Sequence, residues 1–65
     1  MNIKDNADYF KYLYELQASG RTNMYGAAPF LRHEFIELEK RQAEEILVYW
    51  MEHYSEIAKE LGVEV

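Results

Sequence analysis

The sequence predicts a small all-α domain, a three-helix bundle whose long C-terminal helix pairs with the same helix of a second copy. Apolar residues recur every three or four positions along most of the 65-residue chain, which is helical periodicity. Gly20 and Gly62 follow two of these periodic segments, as glycines often do at helix C-termini. Because the chain has no Cys, no disulfide can stabilise so short a domain, and helix packing or self-association must do so.

The first helix is predicted over residues 6–19. Asp5 is a suitable N-cap, and Asp8 three residues later resembles the second half of a capping box. Gly20 is expected to end the helix in the left-handed conformation. One face carries Phe10, Leu13 and Gln17 with Tyr9 and Leu16 beside them, and Tyr12 and Tyr14 flank it.

The second helix is predicted over residues 23–36, with Thr22 or Asn23 as its N-cap. Pro29 falls inside this range, where it would remove a backbone hydrogen bond and clash with the preceding turn. Since apolar residues continue at helical spacing through the proline, we expect one helix with a bend or a loose first turn. The alternative is a separate turn at residues 24–27, with Pro29 in the first turn of a shorter helix.

The third helix is predicted over residues 39–61, and Gly62 ends it. Its seam has the 4, 3, 4, 3, 4 spacing of a heptad repeat, which favours pairing with another helix. Further apolar residues, Val48 among them, lie off the seam, so two short helices of the same chain would leave one side uncovered. We therefore expect a homodimer. The seam residues are Ala43, Leu47, Trp50, Tyr54, Ile57 and Leu61.

The distribution of charge argues against nucleic-acid binding. The first 32 residues carry four basic and three acidic side chains, whereas residues 33–65 carry three basic and nine acidic ones. Binding to phosphates needs Lys and Arg to displace counterions, and this chain has seven in total. Two alternatives stay open: a helix-turn-helix regulator, and an acidic inhibitor that mimics nucleic acid. The recognition helix of such a regulator would begin with Glu39, Lys40, Arg41, Gln42 and Glu45.

No catalytic, cofactor-binding or metal-binding residues are predicted, and we do not expect an enzyme. His33 and His53 are the two histidines, and each has Glu at helical spacing (Glu37 and Glu56), which favours surface ion pairs over a metal site. No stretch approaches the roughly 18 apolar residues of a membrane span, and the N-terminus lacks the apolar segment of a signal peptide. We expect a cytoplasmic protein, in the host cell if a phage encodes it.

Residues 22–31 read Thr-Asn-Met-Tyr-Gly-Ala-Ala-Pro-Phe-Leu. This block and the apolar pattern that follows it resemble small uncharacterised open reading frames of tailed bacteriophages and prophages. The likeness covers residues 22–51, and Thr-Asn-Met-aromatic-Gly-Ala is its specific part. That group has Gly-Leu after the next Phe, whereas this chain has Phe35-Ile36-Glu37-Leu38. The resemblance implies a phage or bacterial accessory protein and supplies neither an activity nor site residues.

We therefore expect a non-enzymatic protein–protein interaction module that self-associates, binds a host or phage protein, or does both. Aromatic and large apolar side chains are the usual anchors of such interfaces. Met24 and Tyr25 form a second candidate surface beside the third helix. The interface residues predicted on the third helix are Ile46, Leu47, Trp50, Met51, Tyr54 and Ile57.

Overall fold

The structure is a computed structural model that describes residues 1–64, and its regular elements are all helical. This confirms the predicted all-α class. Short 3-10 turns at Lys4–Asn6 and Met24–Gly26 precede the first two helices, and the described chain measures 26 × 26 × 17 Å. The helices are α1 (Ala7–Ser19), α2 (Ala28–Glu34), α3 (Lys40–Glu52) and α4 (Tyr54–Leu61).

Helix α1 ends as predicted but begins differently. Gly20 adopts φ 67°, and its N–H donates to the Gln17 carbonyl at 3.2 Å, which closes the helix in the left-handed conformation. Asp5 is not the N-cap, because it lies in the preceding 3-10 turn, where its N–H donates to Asn2 Oδ1 at 3.1 Å. Tyr14, predicted at the edge of the apolar face, is buried in the core.

The single bent helix predicted over residues 23–36 is wrong. Asn23 caps a separate 3-10 turn, and its Oδ1 accepts a hydrogen bond from the Tyr25 N–H at 2.9 Å. Pro29 then lies in the first turn of the shorter α2. The missing N–H of proline costs nothing at that position, because first-turn N–H groups have no partner within the helix.

The continuous helix predicted over residues 39–61 is also wrong, because the chain bends at His53, which has φ −119° and ψ 30°. A straight helix of that length would extend about 34 Å, which exceeds the largest dimension of the molecule, 26 Å. No Pro or Gly lies at the bend. Instead, the Tyr14 hydroxyl donates to the Tyr54 carbonyl directly after it, so a side chain of α1 bonds to the backbone of the first residue of α4.

The core is centred on Trp50, which is 1% exposed. Its ring lies 5.2 Å from that of Tyr14 and 5.1 Å from that of Tyr54, with edge-to-face geometry in both pairs. Three helices therefore meet at one aromatic cluster. Within residues 1–64, the Trp50 indole N–H is the one buried side-chain polar group without a hydrogen-bond partner. The cluster consequently stabilises the fold through packing more than through polar contacts at the indole.

The connection between α2 and α3, residues 35–39, is held against α1 by Phe35. The Phe35 ring lies edge-on to Tyr9 at 4.8 Å and to Tyr12 at 5.7 Å. The Tyr9 hydroxyl donates to Glu37 Oε2 at 2.9 Å, and Leu38 is buried. Because these contacts fix the connection, α3 starts at a defined angle to α2.

We expect Trp50→Ala to lower the free energy of unfolding by about 3–5 kcal/mol, since it removes the largest fully buried side chain. For a domain of this size that is most of the total stability. Urea unfolding followed by circular dichroism measures the change. Val48→Ala is the matched control, because Val48 is on the same helix and is 52% exposed. Equal effects of the two substitutions would contradict the central role of Trp50.

We expect Gly20→Ala to destabilise the domain by about 1 kcal/mol, because alanine is strained at φ 67°. Gly26→Ala should be neutral or stabilising by up to about 1 kcal/mol. Gly26 does not have a positive φ, and a Cβ there would have the Thr22 hydroxyl as its nearest neighbour at 3.8 Å. Thermal melting of both variants tests this pair, and the reverse order of stability would overturn the assignment of Gly20 as the obligatory cap.

Candidate functional site

Most of the interface predicted on the third helix lies inside the chain itself. Ile46, Leu47, Trp50 and Ile57 are at most 5% exposed. Met51 and Tyr54 are half-buried and pack against the same core. The bend at His53 brings α4 against α1, so one chain covers the apolar surplus that predicted a partner helix. These residues do not present a surface to a second copy, and the homodimer itself stays a prediction.

The two residues of the second predicted surface, Met24 and Tyr25, differ in their exposure to solvent. Met24 is half-buried against the core, whereas Tyr25 is 86% exposed. Tyr25 lies beside a groove of about 450 Å³ between the 3-10 turn, α2 and α3. We call this the Tyr25 groove. Its exposed lining residues are Tyr25, Gly26, Pro29, Arg32, Lys40, Glu44 and Val48.

Local structure explains why an aromatic ring remains in solvent here. The backbone of Tyr25 is fixed, because its N–H bonds to Asn23 Oδ1 and the Gly26 N–H donates to the Asn23 carbonyl at 2.8 Å. Its ring has no aromatic partner among the described residues. The turn therefore fixes the backbone of Tyr25 at the edge of a groove whose base contains the buried Leu47.

Val48 completes the apolar part of the groove. It is 52% exposed on α3, and Tyr25 and Pro29 line the same groove from the turn and α2. Sequence reasoning placed Val48 off the helical seam without assigning it to a site. Its position beside Tyr25 depends on how α2 packs across α3, the most extensive helix contact in the described chain.

The charged residues of the groove are two cations and one carboxylate. Arg32 on α2 and Lys40 on α3 are both exposed, and neither forms an ion pair with any of residues 1–64. The carboxylate is Glu44. Elsewhere in that part of the chain, ion pairs join Lys4 to Glu60 and Arg41 to Glu45, and His53 Nδ1 lies near the Glu56 carboxylate.

The start of α3, the candidate recognition helix, is largely occupied by local contacts. Glu39 and Gln42 form a capping box, in which the Glu39 N–H donates to Gln42 Oε1 at 2.9 Å. Arg41 Nε lies 3.4 Å from Glu45 Oε1. Of the two cations that a helix-turn-helix regulator would place here, Lys40 forms no ion pair with residues 1–64.

The two histidines lie in separate environments. His53 stacks on Tyr49 with ring centroids 4.2 Å apart, and its Nδ1 lies 3.7 Å from Glu56 Oε1, the pairing that the sequence predicted. His33 lines a second depression, beside Phe30. Glu37, expected beside His33, instead accepts the hydrogen bond from Tyr9. Among residues 1–64 no three His, Cys, Asp or Glu side chains are grouped so that they could hold a metal ion.

Neither the length and apolar character of the helices nor comparison with known proteins assigns a function. No helix in the described part of the chain has the length and apolar character to cross a bilayer. No family model, curated protein or solved structure matches the chain. Geometry alone therefore supports the assignment of the candidate site.

Three tyrosines have altered acidity because of their surroundings. The hydrogen bond to Glu37 and partial burial raise the pKa of Tyr9. Burial raises the pKa of Tyr12, and the carboxylate of Glu34 acts in the same direction. Burial also raises the pKa of Tyr14, and the neighbouring Tyr54 acts in the same direction, whereas the Ala58 backbone N–H partly offsets this rise.

We expect the stability of the domain to fall as pH rises above about 10, the ordinary pKa of tyrosine. A folded-state pKa above the unfolded value contributes stability that is present below pH 10 and is lost as pH rises through the folded pKa. Tyr14→Phe should therefore make the fall in stability at high pH less steep. It should also lower the free energy of unfolding at pH 7 by about 1 kcal/mol, because the hydrogen bond to the Tyr54 carbonyl is lost.

Urea unfolding midpoints at pH 7, 9, 10 and 11 measure this dependence. Tyr25→Phe is the control, because it removes a hydroxyl from an 86% exposed residue. A Tyr14→Phe variant whose stability falls as steeply as that of the unmodified chain would contradict the contribution of Tyr14.

Proposed function

We propose that this chain is a small, non-enzymatic protein–protein interaction module and that the Tyr25 groove is its binding surface. The observation that carries the proposal is the position of two exposed apolar side chains, Tyr25 and Val48, along one groove beside a complete core. Single exposed apolar residues are normal in proteins, but a cluster beside a concave surface is typical of binding sites. Tyrosine is also among the residues that most often supply the binding energy of an interface.

The partner proposed is another protein, either from a host or from a phage. Self-association is the alternative, and it would use the same groove, because the seam residues of α3 and α4 are already in the core of the chain or packed against it. The proposed origin, a phage or bacterial accessory protein that acts in the cytoplasm, rests on the resemblance of residues 22–51 alone.

We expect a photocrosslinking amino acid placed at Tyr25 to form covalent adducts in a bacterial cell or lysate. The same amino acid at Glu15 is the control, because Glu15 is exposed on α1 and does not line the groove. Mass spectrometry of the adducts separates a dimer of the 7.8 kDa chain from a complex with another protein.

Adding Val48→Asp to the Tyr25 probe should abolish the adduct while leaving the melting temperature nearly unchanged, since Val48 is half-exposed. Adducts of equal yield at Tyr25 and Glu15, or adducts that persist with Val48→Asp, would refute the groove as the binding surface.

A further inference from the structure

The charge of the Tyr25 groove is opposite to that of the rest of the chain. Arg32, Lys40 and Glu44 give the groove a net charge of +1. Since the whole chain carries −5, the remaining residues carry −6. A negatively charged partner is therefore attracted to this groove and repelled by most of the remaining surface. Such complementarity sets orientation and association rate more than it sets affinity.

The two cations are also available to a partner. Arg32 and Lys40 are exposed and have no ion-pair partner among residues 1–64, so contact with a carboxylate breaks no existing pair. The Arg32 guanidinium presents a planar set of donors that matches a carboxylate, and Lys40 adds a mobile point charge. By contrast, Arg41 already pairs with Glu45 and contributes less.

The apolar part of the groove indicates that the partner also carries an apolar side chain. Tyr25, Pro29 and Val48 border it, and the buried Leu47 lies beneath. Its volume of about 450 Å³ falls within the range of ligand-binding clefts, roughly 300–1,000 Å³. A groove of this size has room for a few side chains of a short segment.

We infer, on the basis of the proposed function, that the Tyr25 groove binds a short acidic segment of another protein. An apolar side chain of that segment lies between Tyr25 and Val48, and a neighbouring carboxylate pairs with one or both cations of the groove. A nucleic acid fits less well, because two cations neutralise few phosphates and the other residues repel the backbone. A symmetric second copy would bring four cations and two carboxylates into one interface, a net charge of +2.

The test selects random 12-residue peptides displayed on yeast for binding to the immobilised full chain. Peptides that also bind the Tyr25→Ala/Val48→Asp variant are discarded. We expect the enriched peptides to carry Asp or Glu within about four residues of an aromatic or large aliphatic residue, and to be depleted in Lys and Arg. The two most enriched peptides are then synthesised with a fluorophore, and their dissociation constants are measured by anisotropy.

We expect Arg32→Gln/Lys40→Gln to weaken peptide binding about tenfold at low salt, the combined effect of two exposed charge pairs. Lys11→Gln/Lys59→Gln is the matched control, because both residues are exposed, neither lines the groove, and the change in charge is the same. This control should change the dissociation constant less than twofold. Melting curves verify that all variants are folded.

The outcomes separate this inference from the proposed function. Enriched peptides without acidic residues, whose binding needs Tyr25 but neither Arg32 nor Lys40, would overturn the acidic partner and leave the interaction module standing. Enrichment of basic peptides would overturn it as well, in favour of Glu44. A labelled 20-base-pair duplex is measured in parallel, and tight binding that requires Arg32 and Lys40 would replace the acidic segment with DNA. Failure to enrich any peptide would count against both.

Discussion

The packing of three aromatic rings, Tyr14, Trp50 and Tyr54, is the interaction on which the rest of this structure depends. These residues belong to α1, α3 and α4, and their ring centroids lie between 5.1 and 5.2 Å apart. The cluster lies beside the bend at His53, after which α4 packs against α1. The Tyr14 hydroxyl, bonded to the Tyr54 carbonyl, stabilises that bend. Without Cys, a 65-residue chain gains much of its stability from this kind of burial.

The complete core decides where a partner could bind. Once Ile46, Leu47 and Ile57 are buried, the outer surface of α3 and α4 is mainly charged. Two of the exposed apolar side chains, Tyr25 and Val48, share the Tyr25 groove. The local structure of the 3-10 turn places Tyr25 there, since Asn23 caps the turn and Pro29 lies in the first turn of α2. Rigid backbone around an exposed aromatic lowers the entropy lost on binding.

Prediction from the sequence succeeded where a local signal had one physical meaning. Gly20 and Gly62 end helices because only glycine takes a positive φ without strain, and both do so at φ 67° and 70°. Of the residues that line the Tyr25 groove, Tyr25 was identified from the sequence, because it lies in the unusual stretch of residues 22–31. Prediction from the sequence failed at Pro29, because a proline there is compatible with either a bent helix or the first turn of a shorter helix. The choice depended on whether Met24–Gly26 packs as a separate turn, and that is a tertiary property.

The sequence alone determined the all-α class, the position of α1, the left-handed caps and the residues that could form a core, because propensity and periodicity act over a few neighbouring residues. Only the tertiary structure decided whether the same chain or a second copy covers that core. The seam of Leu47, Trp50 and Ile57 has the same spacing whether a second copy or the same chain packs on it. The bend at His53 distinguishes the two, and it arises from contacts between α1 and α4, forty residues apart, which no local pattern encodes.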